Sequence, residues 1–427
     1  MKELILKLIP YLVILLSFYT ILKSKQPAKD YLLFILYFYP IIYSADSVYS
    51  AFQFITYFYF LYSLRNNQPL FSNSKFGITL YVLIVVFLGA LGSDFVSNSV
   101  LGIVKFLPII LFIHVLISEC LKDQEFVFRI ISALKFTLAI SLGFLLLQIV
   151  LGLNFSLTVM DNPNITFESI RYPGIFQDPQ KHAQFLSALA FIALIKKPGD
   201  INYSKYSYYL FGGAVIALFL TGGRAALLGL VLGIFFIVLF SDTKVKFLGA
   251  IGIVAVGIAV MSLSEYLIVF SRGESLAESY AVRNAIWQDA YKMYFNHFWL
   301  GIGIDNYAKY VEIHAPDQFW LVDGEKVFFD HPESGYLKFL TELGTLGTLG
   351  IFAFIFNAIF RGLKTFLVKV KDFNIIFLIS ALLSWFLGFY SVYSFGDQRI
   401  MILIATVTSV LLVYAQRYDH GVLVITE

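Results

Sequence analysis

Apolar runs, most of them long enough to cross a bilayer as a helix, recur along the whole chain. They predict membrane-spanning helices near 4–22, 29–43, 47–64, 76–93, 100–117, 133–152, 183–196, 206–221, 224–241, 246–264, 335–360, 373–394 and 398–415. The runs at 29–43 and 47–64 are short and barely separated around Asp46, so the count is 12 or 13. Two polar stretches, 153–182 and 271–334, are too long to be turns, and loops of that kind are usually functional or disordered. In the second, Val282, Ile286, Ala290 and Met293 recur at helical spacing, with Trp287, Tyr291 and Tyr294 on a flanking stripe. This predicts an amphipathic helix that lies on the membrane surface, lids a cavity or packs on the bundle. The expected organisation is N-terminal spans over 1–152, central spans with a polar loop and an arginine turn over 153–270, a long loop over 271–334, and C-terminal spans over 335–427.

Composition fixes the class. Of the 427 residues, 59% are hydrophobic and 14% charged, against about 25% charged in an average soluble domain. A soluble globule, a disordered chain and a nucleic-acid binder are excluded, which leaves an all-α, polytopic transmembrane bundle. The formal net charge of +3 does not by itself mark an anionic partner. The one cysteine, Cys120, excludes an intrachain disulfide and a cysteine metal cluster. The first span lacks a small-residue cleavage site and is followed by Lys23, Lys25 and Lys29, so no signal peptide is expected.

Lysine and arginine bias orients the spans. One set of alternating loops carries Lys23–Lys29, Arg65–Lys75, Lys122–Arg129, Lys196–Lys205, Lys244–Lys246 and Arg361–Lys371, and is expected in the cytoplasm. The other carries Asp46, Asp94 and the 271–334 segment, where ten Asp and Glu face five Lys and Arg, and is expected outside. The outer set then gathers several ionisable residues. Arg224 follows Thr221-Gly222-Gly223; Arg171, Asp178, Lys181 and His182 precede a span; Arg283 opens the amphipathic helix; His331 and Glu333 lie where the long loop re-enters the membrane. Three arginines and a lysine on one face would suit a diphosphate, because the planar guanidinium fork matches phosphate oxygens. Each arginine equally fits a snorkelling interfacial anchor, which is the favoured reading of Lys181 taken alone. His182 reads as structural, whereas His331 is the better candidate base, because a histidine side chain can exchange a proton near neutrality. There is no Asp-x-Asp pair, no HExxH spacing and no P-loop, so no metal or cofactor is expected. Gly301-Ile-Gly303 lacks the third glycine and the βαβ context of a nucleotide-binding turn. Without a metal, a phosphate leaving group needs cationic side chains.

Four ordered blocks between about 171 and 350 carry a family resemblance: Tyr172-Pro-Gly-Ile-Phe-Gln-Asp-Pro179, Thr221-Gly-Gly-Arg224, Arg283-Asn-Ala-Ile-Trp287 with His297-Phe-Trp-Leu-Gly301-Ile-Gly303, and Asp330-His331-Pro-Glu-Ser-Gly-Tyr336 with Glu342-Leu-Gly344. In these blocks the chain resembles the O-antigen ligase and O-antigen polymerase (Wzy/WaaL-type) superfamily of bacterial membrane glycosyltransferases. The resemblance implies a GT-C-like, metal-independent, inverting enzyme in the bacterial inner (cytoplasmic) membrane, its active site facing the periplasm. The implied partners are a glycan on undecaprenyl diphosphate, a glycan or lipid-linked acceptor and the bilayer. It implies Arg171, Arg224, Arg283 and Lys181 at the diphosphate and His331 as base, with Glu333 orienting it or acting in its place. Trp287, Tyr291 and Tyr336 would line the substrate cavity. Pro332, Phe298 and Gln180 depart from the family pattern, which favours a polymerase over a ligase as the expectation. A flippase of lipid-linked sugars is the rival from another class, with a purely structural scaffold as a third. Transporters concentrate polar residues at the bilayer midplane and often show repeats; here no repeat is visible, and only Lys105 and Lys135 stand as candidate intramembrane charges. The loop bias predicts that a cysteine at Ser275 is labelled by an impermeant reagent in whole cells and one at Lys364 is not; the reverse pattern defeats this topology.

Overall fold

The computed structural model describes residues 2–39, 51–68, 76–153, 155, 171–176, 178–197, 205–249 apart from 245 and 248, 276–322 and 325–419. Among these the chain forms α1 (Lys2–Lys23), α2 (Pro27–Phe38), α3 (Ala51–Arg65), α4 (Phe76–Leu91), α5 (Val96–Lys122), α6 (Gln124–Leu151), α7 (Pro179–Ala193), α8 (Lys205–Thr221), α9 (Arg224–Phe240), α10 (Leu276–Asn296), α11 (Tyr307–His314), α12 (Gly335–Val368), α13 (Phe373–Phe389) and α14 (Gln398–Asp419). A single antiparallel hairpin, β1 (Phe319–Val322) and β2 (Glu325–Phe328), interrupts the helices. The fold is an all-α polytopic bundle. Four helices, α5, α6, α12 and α14, are long and apolar enough to cross a membrane alone. Each expected span coincides with a helix except 246–264, which lies almost wholly outside the described residues.

Burial separates the core from the lipid-facing surface. α7 and α14 are enclosed along nearly their whole length, from Ala183 to Ala193 and from Ile400 to Ala415. α13 packs on α7 and α9, and α14 on α5 and α12. By contrast α1, α4 and α9 expose Leu12, Leu15, Phe87, Leu88, Leu228 and Phe235, the outward apolar surface of a bundle solvated by lipid. Small residues bring α9 against α13: a Cβ on Gly229 would lie 2.2 Å from the Ser384 carbonyl oxygen. Lys135 donates to the Ile195 carbonyl at 2.6 Å and to the Ser207 hydroxyl at 3.2 Å. Lys105 pairs with Asp305 at 2.5 Å. Both candidate intramembrane charges therefore have structural partners.

The element that shapes the site is a break in α12. Gly344 has φ 63° and ψ −172°, so the helix stops and restarts there. A break strands main-chain donors and acceptors, which is tolerated at membrane depth only where other protein groups satisfy them. The 298–303 turn does so by backbone exchange. Ile302 and Gly303 donate to the Thr341 and Glu342 carbonyls at 2.8 and 3.0 Å, while Thr345 and Leu346 donate to the Phe298 and Trp299 carbonyls at 2.9 and 3.2 Å. Two backbones approach this closely only without side chains: a Cβ on Gly344 would lie 2.4 Å from the Trp299 oxygen, and one on Gly301 2.4 Å from the Glu342 carbonyl carbon. Asn306 then ties the turn to the α4–α5 junction, donating to the Ser93 and Ser99 hydroxyls at 2.6 and 2.8 Å. The Gly301-Ile-Gly303 motif thus serves helix packing. Gly344→Ala is expected to destabilise the protein by at least about 2 kcal/mol. Gly143→Ala, in α6 with nothing within 4 Å of its Cβ, should be neutral or stabilising by up to about 1 kcal/mol. Thermal unfolding in detergent compares the two, and equal effects contradict the packing argument.

Candidate functional site

The 171–176 segment is pinned from three sides. Gly174 has φ 60°, and a Cβ there would lie 2.2 Å from the His182 ring. The Gln148 amide clamps its main chain, accepting from Gly174 N at 2.8 Å and donating to Gly174 O at 3.1 Å. His182 is hydrogen-bonded to Ser141 at 2.8 Å and stacks on Phe176, a structural placement. Asp178 caps α7 by accepting from Gln180 N at 2.7 Å, and Pro179 follows at the first helical position. Arg171 Nε donates to the Thr221 carbonyl at 2.9 Å, and Tyr172 N donates to Leu220 O at 3.2 Å. The 171 segment is thereby joined to the turn that carries Arg224. There Gly222 adopts φ 66° and Gly223 caps α9, which places Arg224 in the first turn of that helix, at the positive end of its dipole.

A residue that sequence reasoning missed closes this side. Arg399 is 4% exposed, lies 3.9 Å over the Phe176 ring and donates to the Ile175 carbonyl at 2.5 Å. It holds Asp397 bidentately at 2.9 and 2.5 Å. Desolvation raises the Asp397 carboxyl, but Arg399, and Lys181 beside it, bring it below the usual carboxylate range. The pair is complete above that range and is lost only as pH falls below it.

The second segment is the 330–334 loop. His331 Nδ1 lies 2.5 Å from Asp330 Oδ1, and Nε2 lies 3.8 Å from Glu333 Oε1. Glu333 adopts φ 51°, uncommon for a residue with a side chain, and its other oxygen is 3.9 Å from Arg283 Nη2. Trp287 Nε1 donates to the Pro332 carbonyl at 2.8 Å, fastening the loop to α10. Desolvation raises the Asp330 carboxyl; the His331 hydrogen bond, with His331, Lys338 and Lys181 charges nearby, outweighs it and holds the group well below the usual range. Its side chain is nonetheless 80% exposed. The Lys181 charge favours the ionised form of Asp330 and of Asp397 alike. An ionised Asp330 accepts from Nδ1–H and leaves Nε2 of a neutral His331 as the proton acceptor.

Beneath this loop lies a second missed pair. Lys338 and Glu342, one turn apart in α12, form a 2.7 Å ion pair with side chains 7% and 5% exposed. Lys338 also donates to the Asp330 carbonyl at 2.6 Å and lies over the Tyr307 and Tyr393 rings. Glu342 accepts from Tyr307 N at 2.9 Å, at the start of α11. The loop, α11 and the α12 break thus meet at one buried charge pair. Tyr393 packs against the His331 ring at 5.6 Å.

Of the residues expected at the site, Arg171 joins the Arg224 turn, Arg283 faces Glu333, Lys181 acts electrostatically on Asp330 and Asp397, and Trp287 holds the 330–334 loop. Tyr336 is joined to Trp287 through Tyr390, but its hydroxyl donates to Phe386 O at 2.8 Å within an aromatic cluster. Tyr291 is 44% exposed and stacks on Phe295, away from this contact set. Among the described residues no group of three His, Cys, Asp or Glu converges as a metal site.

The fold is that of a polytopic helical membrane protein, and it sets a histidine–aspartate pair beside Glu333 and Arg283. Residues 209–352 match the family model described as O-antigen ligase. The resemblance to the O-antigen ligase and polymerase superfamily is therefore borne out over that stretch, which includes Arg224, Arg283, His331 and Glu333 but not Arg171 or Lys181. No curated protein matches the chain. The match supports a membrane enzyme of O-antigen ligase or polymerase type.

Breaking the buried pair tests its positioning role. Lys338→Met should cost about 3–5 kcal/mol of stability by stranding Glu342, and slow turnover about 10²-fold by loosening the Asp330 carbonyl. Adding Glu342→Gln, which can still accept from Tyr307 N, should recover most of the stability and little of the turnover. Recovery of both assigns the pair to stability alone.

Proposed function

We propose that the protein transfers a glycan from undecaprenyl diphosphate to an acceptor hydroxyl at the outer face of the bacterial inner membrane, with inversion and without a metal. The observation that carries this reading is the His331–Asp330 pair, with Glu333 standing between His331 and Arg283. His331 Nε2 takes the proton of the acceptor hydroxyl as its oxygen attacks the anomeric carbon. The anomeric C–O bond breaks and the diphosphate leaves with the electron pair. Arg171, Arg224, Arg283 and Lys181 stabilise the charge that builds on the leaving oxygen. Glu333, between His331 and Arg283, orients both. Trp287 acts through the loop it fastens.

The acceptor we favour is a second lipid-linked repeat unit, which makes the protein a polymerase; Pro332, Phe298 and Gln180 support this. The description of the matched family supports the second reading, a ligase to lipid A–core or another surface acceptor. Purified protein given only lipid-linked repeat units lengthens them if it is a polymerase, and acts only on adding lipid A–core if it is a ligase.

His331→Ala should lower kcat about 10²–10⁴-fold with donor binding nearly unchanged, because a general base acts on the acceptor proton in the transition state. Arg224→Ala should weaken binding and turnover together, and Arg224→Lys should restore only part. Turnover should persist in EDTA. Near wild-type turnover of His331→Ala, or loss in EDTA reversed by Mg²⁺, overturns the mechanism.

A further inference from the structure

Beyond the 330–334 loop, α10 and α11 flank an open pocket of about 260 Å³. Met293 and Tyr310 form its buried part, and Asp289, Lys292, Asn296, His297 and His314 line its open side. The Tyr310 ring is fixed: its hydroxyl donates to Asp94 at 2.6 Å, and Phe95 packs edge-on at 5.6 Å. His314 stacks on it at 5.4 Å and His297 meets it edge-on at 5.6 Å. Neither imidazole nor the Asn296 amide has a side-chain hydrogen bond among the described residues, whereas Asp289 is held by Lys292 at 2.8 Å and Gln318 at 2.6 Å.

We propose that this cavity is a subsite for one pyranose ring of the glycan, a unit other than the one whose bond reacts. The proposal rests on the glycan-transfer reading above. Its chemistry is that of sugar recognition: an amide, two imidazoles and a carboxylate offer planar donors and acceptors to hydroxyls, while Tyr310, 3% exposed beneath His314, backs the imidazoles. An anion is disfavoured because Asp289 stands in the wall and Lys292 is already paired with it. A lipid tail is disfavoured by the polar walls. The position also fits. Trp287 and Asp289 lie on opposite faces of α10, so the cavity is one helix removed from the His331 loop. Asp289, Asp330 and Glu342 all act on the Tyr307 hydroxyl between the two sites. Binding energy gathered there from a remote sugar can hold the reacting unit in register.

Saturation-transfer NMR on the full chain in detergent, with maltotriose, chitotriose and a rhamnose trisaccharide as probes, tests the site directly. Transfer to at least one trisaccharide is expected for the wild type and should be lost in His314→Ala and Asn296→Ala, both at exposed positions. In glycan transfer the same variants should raise the donor KM about tenfold, the loss of roughly one good hydrogen bond, with kcat unchanged and no effect on a donor carrying a single sugar. Saturation of none of the three probes, or an equal rise in KM for the single-sugar donor, overturns the subsite. A wild type that binds a trisaccharide yet transfers from no lipid-linked donor overturns the catalytic reading and leaves the subsite standing.

Discussion

The interruption of α12 at Gly344 is the constraint on which the rest of the site depends. A helix that stops inside a membrane protein must hand its loose carbonyls and amides to another backbone. Here the 298–303 turn receives both, by four main-chain hydrogen bonds. That exchange locks the end of α10 and the start of α11 onto the first half of α12. The His331 loop enters that half-helix, so its position follows from the break.

Charge is buried around this scaffold where it positions main chain. Lys338–Glu342 and Arg399–Asp397 each combine an ion pair with a hydrogen bond to a loop: Lys338 and Arg399 donate to carbonyls, and Glu342 accepts from an amide. Desolvating such pairs is costly, and hydrophobic replacements are often as stable. Their value lies in geometry. One fixes the Asp330–His331 loop and the other the Arg171–Phe176 segment. The groups to which the proposal gives the chemistry, His331 Nε2, Glu333 and Arg283, make only contacts longer than 3.5 Å with one another.

Much of this was legible in the sequence, because apolar runs of bilayer length and ordered motif blocks are local signals. The spans and the Arg224 turn follow from them. The buried ion pairs do not. Lys338 and Glu342 lie one turn apart within an expected span, and nothing local shows that one reaches the Asp330 carbonyl and the other the Tyr307 amide. Arg399 heads a span, and its bond to the distant Ile175 carbonyl leaves no local signal. Gly344 is set in an otherwise continuous helical pattern, so its φ is invisible without the turn it packs on. Tyr291 and Trp287 share a stripe, yet Trp287 is hydrogen-bonded to the 330–334 loop at Pro332 whereas Tyr291 stacks on Phe295.

The most direct test of the central claim, that His331 held by Asp330 is the base of the transfer, is chemical rescue of His331→Gly in single-turnover glycan transfer. Imidazole added at rising pH should restore transfer in proportion to its neutral form, and the rescue should vanish when Asp330 remains but the Gly344 break is closed by alanine. Transfer by His331→Gly at the wild-type rate without imidazole, or a loss that no imidazole concentration repairs in a folded protein that still binds donor, would contradict it.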